Sequence, residues 1–303
     1  MSAKNLVADA PRDSALERRL AAALAGTRLG RPLYGFQRVG STMDVAKALA
    51  EQGAPEGTLV WAARQDHGRG RLGRVWESPE GGAYFSLILR PSPGTPPTGG
   101  VGEGVPQPKA EGRPTRSLQD IPQLSLVAGL SAAEAIRELT TLSPSIRWPN
   151  DLLLNGRKVA GILIEASVQR IADSVQNYIV VGVGINVSTD PRELPEGSTS
   201  LREALGSSYT LYAKRYPLDP VALTVALCRK FDGWYDSWTA KGFAPIREAL
   251  RPWLTLGALV RLTTNSSQVE GQASDVDEQG RLLVRLESGV MRSFEAGEVA
   301  LLR

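Results

Sequence analysis

Four stretches of the chain carry apolar residues three or four apart, with short apolar runs between them. In the first, Ser14 to Gly26, Ser14 and Glu17 form a capping-box pair and Leu16, Leu20 and Leu24 repeat every four residues. That pattern predicts a short helix closed by Gly26, standing alone before a main domain that begins near Tyr34. A second pair, Ser41 and Asp44, precedes Val45, Leu49 and a stop at Gly53, which predicts another helix. Thr58 to Ala63 and Ala83 to Arg90 have the character of buried strands. A third helix is expected from Pro122 to Leu139, then a strand over Ser145 to Trp148. Leu152 to Leu154 and Val159 to Ala166 flank Asn155-Gly156, a strong hairpin signal. Tyr178 to Val187 predicts a further strand, ending among Gly182, Gly184 and Asn186. The fourth helix, Pro220 to Ala240, carries a stripe of Leu223, Leu227, Phe231, Trp234 and Trp238.

The tail differs. From Leu256, short runs at Ala258–Thr263, Val269–Val276 and Leu282–Leu286 alternate with Asn, Asp and Gly turns, as in a small all-β barrel. Residues 91–118 hold almost no large apolar side chain and are expected to be a disordered insertion. The expected fold class is α+β: a mixed sheet with helices against one side, then a small barrel. The expected boundaries are a short N-terminal helical extension at 1–30, a main domain at 31–253 and the barrel at 254–303.

Composition narrows the class. A chain of 303 residues with 42% hydrophobic and 22% charged residues is long enough for one large core plus a satellite domain. The net charge of +3 is too near balance to demand a nucleic-acid partner. A winged-helix reader needs about 60 residues, more than the first segment offers, which argues against DNA binding. One cysteine, Cys228, excludes an internal disulfide framework. Neither a signal peptide nor a membrane span is legible, so a cytoplasmic protein without membrane attachment is expected.

Three constellations carry chemistry. Gly68 to Trp76 reads GRGRLGRVW. Its glycines allow close backbone approach to an anion, its arginines suit phosphates and carboxylates, and Trp76 offers a face for a purine. A mobile basic loop or an RGG-like nucleic-acid contact reads the same composition equally well. Arg147-Trp148-Pro149-Asn150-Asp151 ends a strand with an amide and a carboxylate that could meet Mg²⁺ or ATP, although Pro-Asn-Asp is also ordinary turn chemistry. Lys158 opens an otherwise apolar strand ahead of Gly161. There it could hold a developing oxyanion, or it could extend from a hairpin end into water. The lone histidine, His67, has no triad partner and reads as a loop residue.

The runs GRGRLGRVW, RWPNDLLLNGRKVAGILIE and VVGVGINV, in this order and spacing, resemble the biotin–protein ligase family, strongly over Tyr34 to Asn186. The resemblance implies a biotinyl/lipoyl protein ligase-like catalytic domain followed by an SH3-like barrel. It implies that biotin and ATP form biotinyl-5′-AMP with Mg²⁺, and that the biotinyl group passes to a lysine of a biotin carboxyl carrier protein. Ser41, Thr42 and Gln65 would meet the ureido ring of biotin, and Arg69, Gly70 and Arg71 would close over biotin and the adenylate. Lys158 would hold the carboxylate and then the acyl phosphate, while Gly161 and Leu163 would line the biotin pocket. Trp76 would pack on adenine. Asn150, Asp151 and Asn186 would serve the nucleotide, Mg²⁺ or the incoming amine, with Asp151 orienting or deprotonating it. The family often has Asn where this chain has Met43, so no polar contact is carried onto that position. The nearest alternative is a lipoate or octanoate ligase or transferase, and another is a ligase that also regulates transcription. An exposed strand edge could support a homodimer.

Overall fold

The computed structural model describes residues 10–90, 120–171, 174–206, 218–264 and 267–302. Most of the expected N-terminal extension is therefore visible, whereas the expected insertion at 91–118 lies outside the described residues.

Seven strands form a mixed sheet: β1 (Leu33–Val39), β2 (Leu59–Gln65), β3 (Gly82–Leu89), β4 (Ser145–Arg147), β5 (Asp151–Leu154), β6 (Arg157–Ile171) and β7 (Ser174–Asn186). Their order is β1-β2-β3-β7-β6-β5-β4, with β1 and β2 parallel and the other neighbours antiparallel. The helices beside it are α1 (Ser14–Ala23), α2 (Thr42–Glu51), α3 (Ile121–Thr140), α4 (Leu201–Leu205), α5 (Pro220–Lys241) and α6 (Ala244–Leu250). A parallel pair needs a crossover, and α2 supplies it.

Helices cover both faces, which corrects the one-sided expectation. β3 is buried at every position, so each face needs an apolar cover. Ala83, Phe85, Leu87 and Leu89 enter the larger core with α3 and α5, whereas Ile88 joins Phe36, Val45, Leu49 and Val60 beneath α2. The N-terminal helix does not stand apart either. Leu20, Leu24 and Leu29 are buried in the larger core, and Arg28 pairs with Asp232 at 2.8 Å and Asp236 at 2.7 Å on α5.

Both capping-box readings place a helix correctly, but neither box forms. Asp13 caps α1, accepting from the N–H groups of Ala15 at 3.0 Å and Leu16 at 2.9 Å. Glu17 instead accepts the Gly35 N–H at 2.9 Å on the outer side of β1. At α2, Ser41 holds the cap position, but its hydroxyl makes no cap bond and Asp44 turns to Arg69. On α5, Trp234 is only partly buried and donates to Glu134 at 3.0 Å, while Tyr235 takes its expected place in the core.

The Asn155-Gly156 turn is as expected, with φ of 51° and 76° at the two positions. The next hairpin is longer than its apolar pattern suggested, because β6 and β7 pair out to Ile171 and Ser174 through a polar stretch. Beyond Thr255, β8 (Leu259–Thr263), β9 (Gln268–Val276), β10 (Leu282–Arg285), β11 (Met291–Phe294) and β12 (Glu298–Leu301) form an antiparallel, SH3-like sheet. This small domain is fastened to the large one. Trp148 Nε1 donates to Gly280 O at 2.9 Å, and Arg247 and Arg251 meet Asp275 at 2.8 and 2.7 Å.

Candidate active site

The floor of the site comes from sequence alternation on β6 and β7. Gly161 pairs with Gly184 and Leu163 with Gly182, so three glycines share the face that α2 covers. Their missing side chains make room for others. A Cβ on Gly184 would lie 2.5 Å from Trp76 Nε1, one on Gly161 3.0 Å from Trp76 Cζ3, and one on Gly182 2.5 Å from Met43 Sδ. Above this floor lies a cavity of about 240 Å³, walled by the start of α2, the Gly70–Trp76 segment, the Arg147–Asp151 turn and the edge of the small domain.

Neutral polar groups gather where α2 meets β2. The Thr42 N–H and Oγ1 donate to Gln65 Oε1 at 2.8 and 3.1 Å, and Gln65 Nε2 donates to Ser78 Oγ at 2.8 Å. Ser41 Oγ is buried beside them without a hydrogen-bond partner among the described residues. A buried hydroxyl left free in this way is ready for a ligand.

Charge collects at the other end. Lys158 Nζ lies 2.6 Å from Asp151 Oδ1, and Arg147 Nη2 lies 2.6 Å from Asp151 Oδ2. The ammonium is not aligned as a hydrogen-bond donor to Oδ1, so this contact is an ion pair by distance and charge. Lys158 also stands 5.2 Å from the centre of the Trp76 ring. Arg71 donates to Asn150 Oδ1 at 3.0 Å and to Gly297 O, in the small domain, at 3.2 Å. Burial pushes the Arg71 pKa down, Asp151 opposes that shift and Arg74 adds to it. Arg69 is gripped by Asp44 and Glu165, and Lys47 meets Glu165 at 3.0 Å. Burial alone would lower the Arg69 pKa, but the two carboxylates raise it.

The glycine–arginine segment therefore folds over the groove. Its tip is strained, since Leu72 holds φ 56° and ψ 35°, a left-handed conformation uncommon outside glycine. Leu72 and Val75 are exposed there, and Arg74 pairs with Glu298 of the small domain.

Thr42, Gln65, Arg69, Gly70, Arg71, Trp76, Asn150, Asp151, Lys158, Gly161 and Leu163 all line the one groove. Ser41 sits just behind it. Asn186 faces an adjoining hollow of about 170 Å³ shared with Trp76, Lys158 and Ser198. It donates to Thr199 O at 3.0 Å, and its Oδ1 is buried without a partner among the described residues.

The expected metal pair is not arranged as a resident cation site. Both Asp151 oxygens face cations, both amide atoms of Asn150 are bonded, and no three His, Cys, Asp or Glu side chains converge among the described residues. Sequence reasoning also missed Glu165 and Glu298, which act on the segment from far along the chain. It read Asp44 as a helix cap, and only its third-dimension neighbour Arg69 reveals the other use.

Residues 35–99 and 110–186 match the biotin/lipoate A/B protein ligase family, and 255–302 match the biotin protein ligase C-terminal domain. The biotin–[acetyl-CoA-carboxylase] ligase of Mycobacterium tuberculosis is 31% identical over 95% of this chain and 96% of its own length. The corresponding ligase of Paracoccus denitrificans is 32% identical over 83% of this chain and 93% of its own length. The chain belongs to the biotin protein ligase family. The ligase is also 33% identical to the bifunctional ligase/repressor BirA of Bacillus subtilis, over 88% of this chain and 74% of that protein. Among solved structures, biotin protein ligase from Aquifex aeolicus in complex with biotin and ATP superposes with a TM-score of 0.65. That pair is 29% identical, covering 89% of this chain and 98% of the other. Among the described residues, no helix of the ligase is long and apolar enough to cross a membrane.

Proposed function

We propose that this groove is where the ligase activates biotin with ATP and passes the biotinyl group to a carrier lysine. The reading rests on one observation: the unpartnered Ser41 hydroxyl beside Thr42 and Gln65 at one end of a glycine floor, and Lys158, Arg71 and Asp151 at the other. Biotin lies along the floor with its ureido ring at Ser41, Thr42 and Gln65 and its carboxylate at Lys158. Gly161 and Leu163 flank the acyl chain. Adenine stacks on Trp76, and its exocyclic amine donates to Asn186 Oδ1, an acceptor without a partner among the described residues.

In the first step a carboxylate oxygen of biotin attacks the α-phosphorus of ATP, and pyrophosphate leaves. Two anions must meet, so Lys158, Arg69 and Arg71 offset their repulsion and stabilise the charge of the transition state. Arg71 spans Asn150 and the small domain, which holds the segment shut over an anhydride that water would destroy. When Lys158 turns to the acyl phosphate, Asp151 Oδ1 is released to orient the incoming amine. The amine attacks the acyl carbon, and AMP leaves.

The test is incubation of the protein with ATP, Mg²⁺, biotin and a biotinyl carrier domain, read by the mass of the carrier. Biotin-dependent exchange of pyrophosphate into ATP reads the first step alone. Exchange driven by lipoate in place of biotin would overturn the substrate assignment.

A further inference from the structure

The floor glycines are not equivalent. Gly161 and Gly184 lie under Trp76, whereas Gly182, two residues before Gly184 on β7, lies under Met43. Met43 is 3% exposed, yet it lines the groove beside Thr42, Gln65 and Leu163. Its Sδ would stand 2.5 Å and its Cγ 3.1 Å from a Cβ on Gly182, so the thioether sits in the space that the glycine leaves. It follows directly on the Ser41-Thr42 pair at the start of α2. The neighbouring groups there can bind a ring's polar edge, but they leave the apolar side of that ring to Met43.

We propose that Met43 is a specificity-determining residue, an apolar plug whose bulk sets how large a bicyclic head group the groove accepts. This rests on the placement of biotin proposed above. The physical basis is shape. An unbranched thioether with three rotatable bonds fills an irregular gap and yields only where space exists. The gap over Gly182 is already full, so a Cβ there must displace Met43, whose open side is the groove it lines. A side chain added at Gly182 therefore acts on ligand binding through Met43.

The experiment measures pyrophosphate exchange with biotin and with biotin sulfone, whose head group is bulkier at sulfur, for wild type, Met43→Ala, Gly182→Ala and the double variant. Met43→Ala is expected to raise KM for biotin about 10-fold, the scale of a lost apolar contact. Its kcat should stay within about twofold, and the preference for biotin over the sulfone should fall about 10-fold. Gly182→Ala should raise KM for biotin in the wild-type background and do nothing further in the Met43→Ala background. Met43→Leu, which keeps the volume, should restore the wild-type preference and covers the case in which Met43→Ala does not fold. Unchanged preference in Met43→Ala, equal losses on both substrates, or additive effects of the two alanines would each overturn the proposal. Wild-type protein that shows no biotin-dependent exchange would instead sink the placement of biotin.

Discussion

At the scale of single residues, the site is built from groups whose ordinary needs are left unmet. Ser41 Oγ and Asn186 Oδ1 are buried without partners among the described residues, and both lie where a polar edge of a substrate is proposed to bind. Lys158 has the opposite character, because Asp151 already holds its charge at 2.6 Å. The same carboxylate meets Arg147, so removing Lys158 would leave Asp151 paired and the local backbone unstrained. Lys158→Ala is therefore expected to fold normally and to lose about 10²- to 10³-fold in kcat for exchange, the scale of removing one preorganised donor. Steady-state exchange assays check this, and a loss under threefold would take Lys158 out of the chemistry.

At the scale of elements, two of the contacts that join the small domain to the large one act as latches. The first is Arg71, bonded to Asn150 on one side and to Gly297 O on the other. Arg71→Gly would cut both bonds, and the adenylate is expected to escape before the carrier arrives. Unrelated proteins in the same tube should then become biotinylated, which a streptavidin blot would read; labelling confined to the carrier would remove the retention role. The second latch is Asp275. Burial alone would raise its carboxyl, but hydrogen bonds from Arg251, the Val276 backbone and Arg247 outweigh burial and hold it down at about 2. A depressed carboxyl stabilises the fold above its unfolded value of 3.8 and loses that contribution as pH falls towards 2. Urea midpoints recorded from pH 5 to pH 2 should drop more steeply for wild type than for Asp275→Asn, and parallel curves would refute the latch.

Across the whole molecule, the site depends on a sheet buried on both faces, and α1 is part of that burial. Leu20 is fully buried, far along the chain from every residue that lines the groove. Leu20→Ala is expected to lower stability by about 2–5 kcal/mol through lost transfer energy and a residual cavity. KM for biotin and ATP should not change at temperatures where the variant is folded. Denaturation curves beside exchange kinetics check both halves, and an unchanged midpoint would return α1 to the status of a loose extension.

Local pattern alone determined the identity and order of most elements. Apolar spacing marked α2, α3 and α5, Asn155-Gly156 marked the β5–β6 turn, and three motifs supplied most of the residues that line the groove. These features are legible because turn chemistry and periodic burial act over a few residues. Tertiary structure decided what pairs across distance. It gave Asp44 to Arg69 in place of a helix cap, set Glu298 against Arg74, and wedged Met43 over Gly182. It also extended β6 and β7 through a polar stretch, because backbone pairing between neighbours needs no apolar pattern. The side-chain contacts join residues tens to hundreds of positions apart, and no short window along the chain contains both partners.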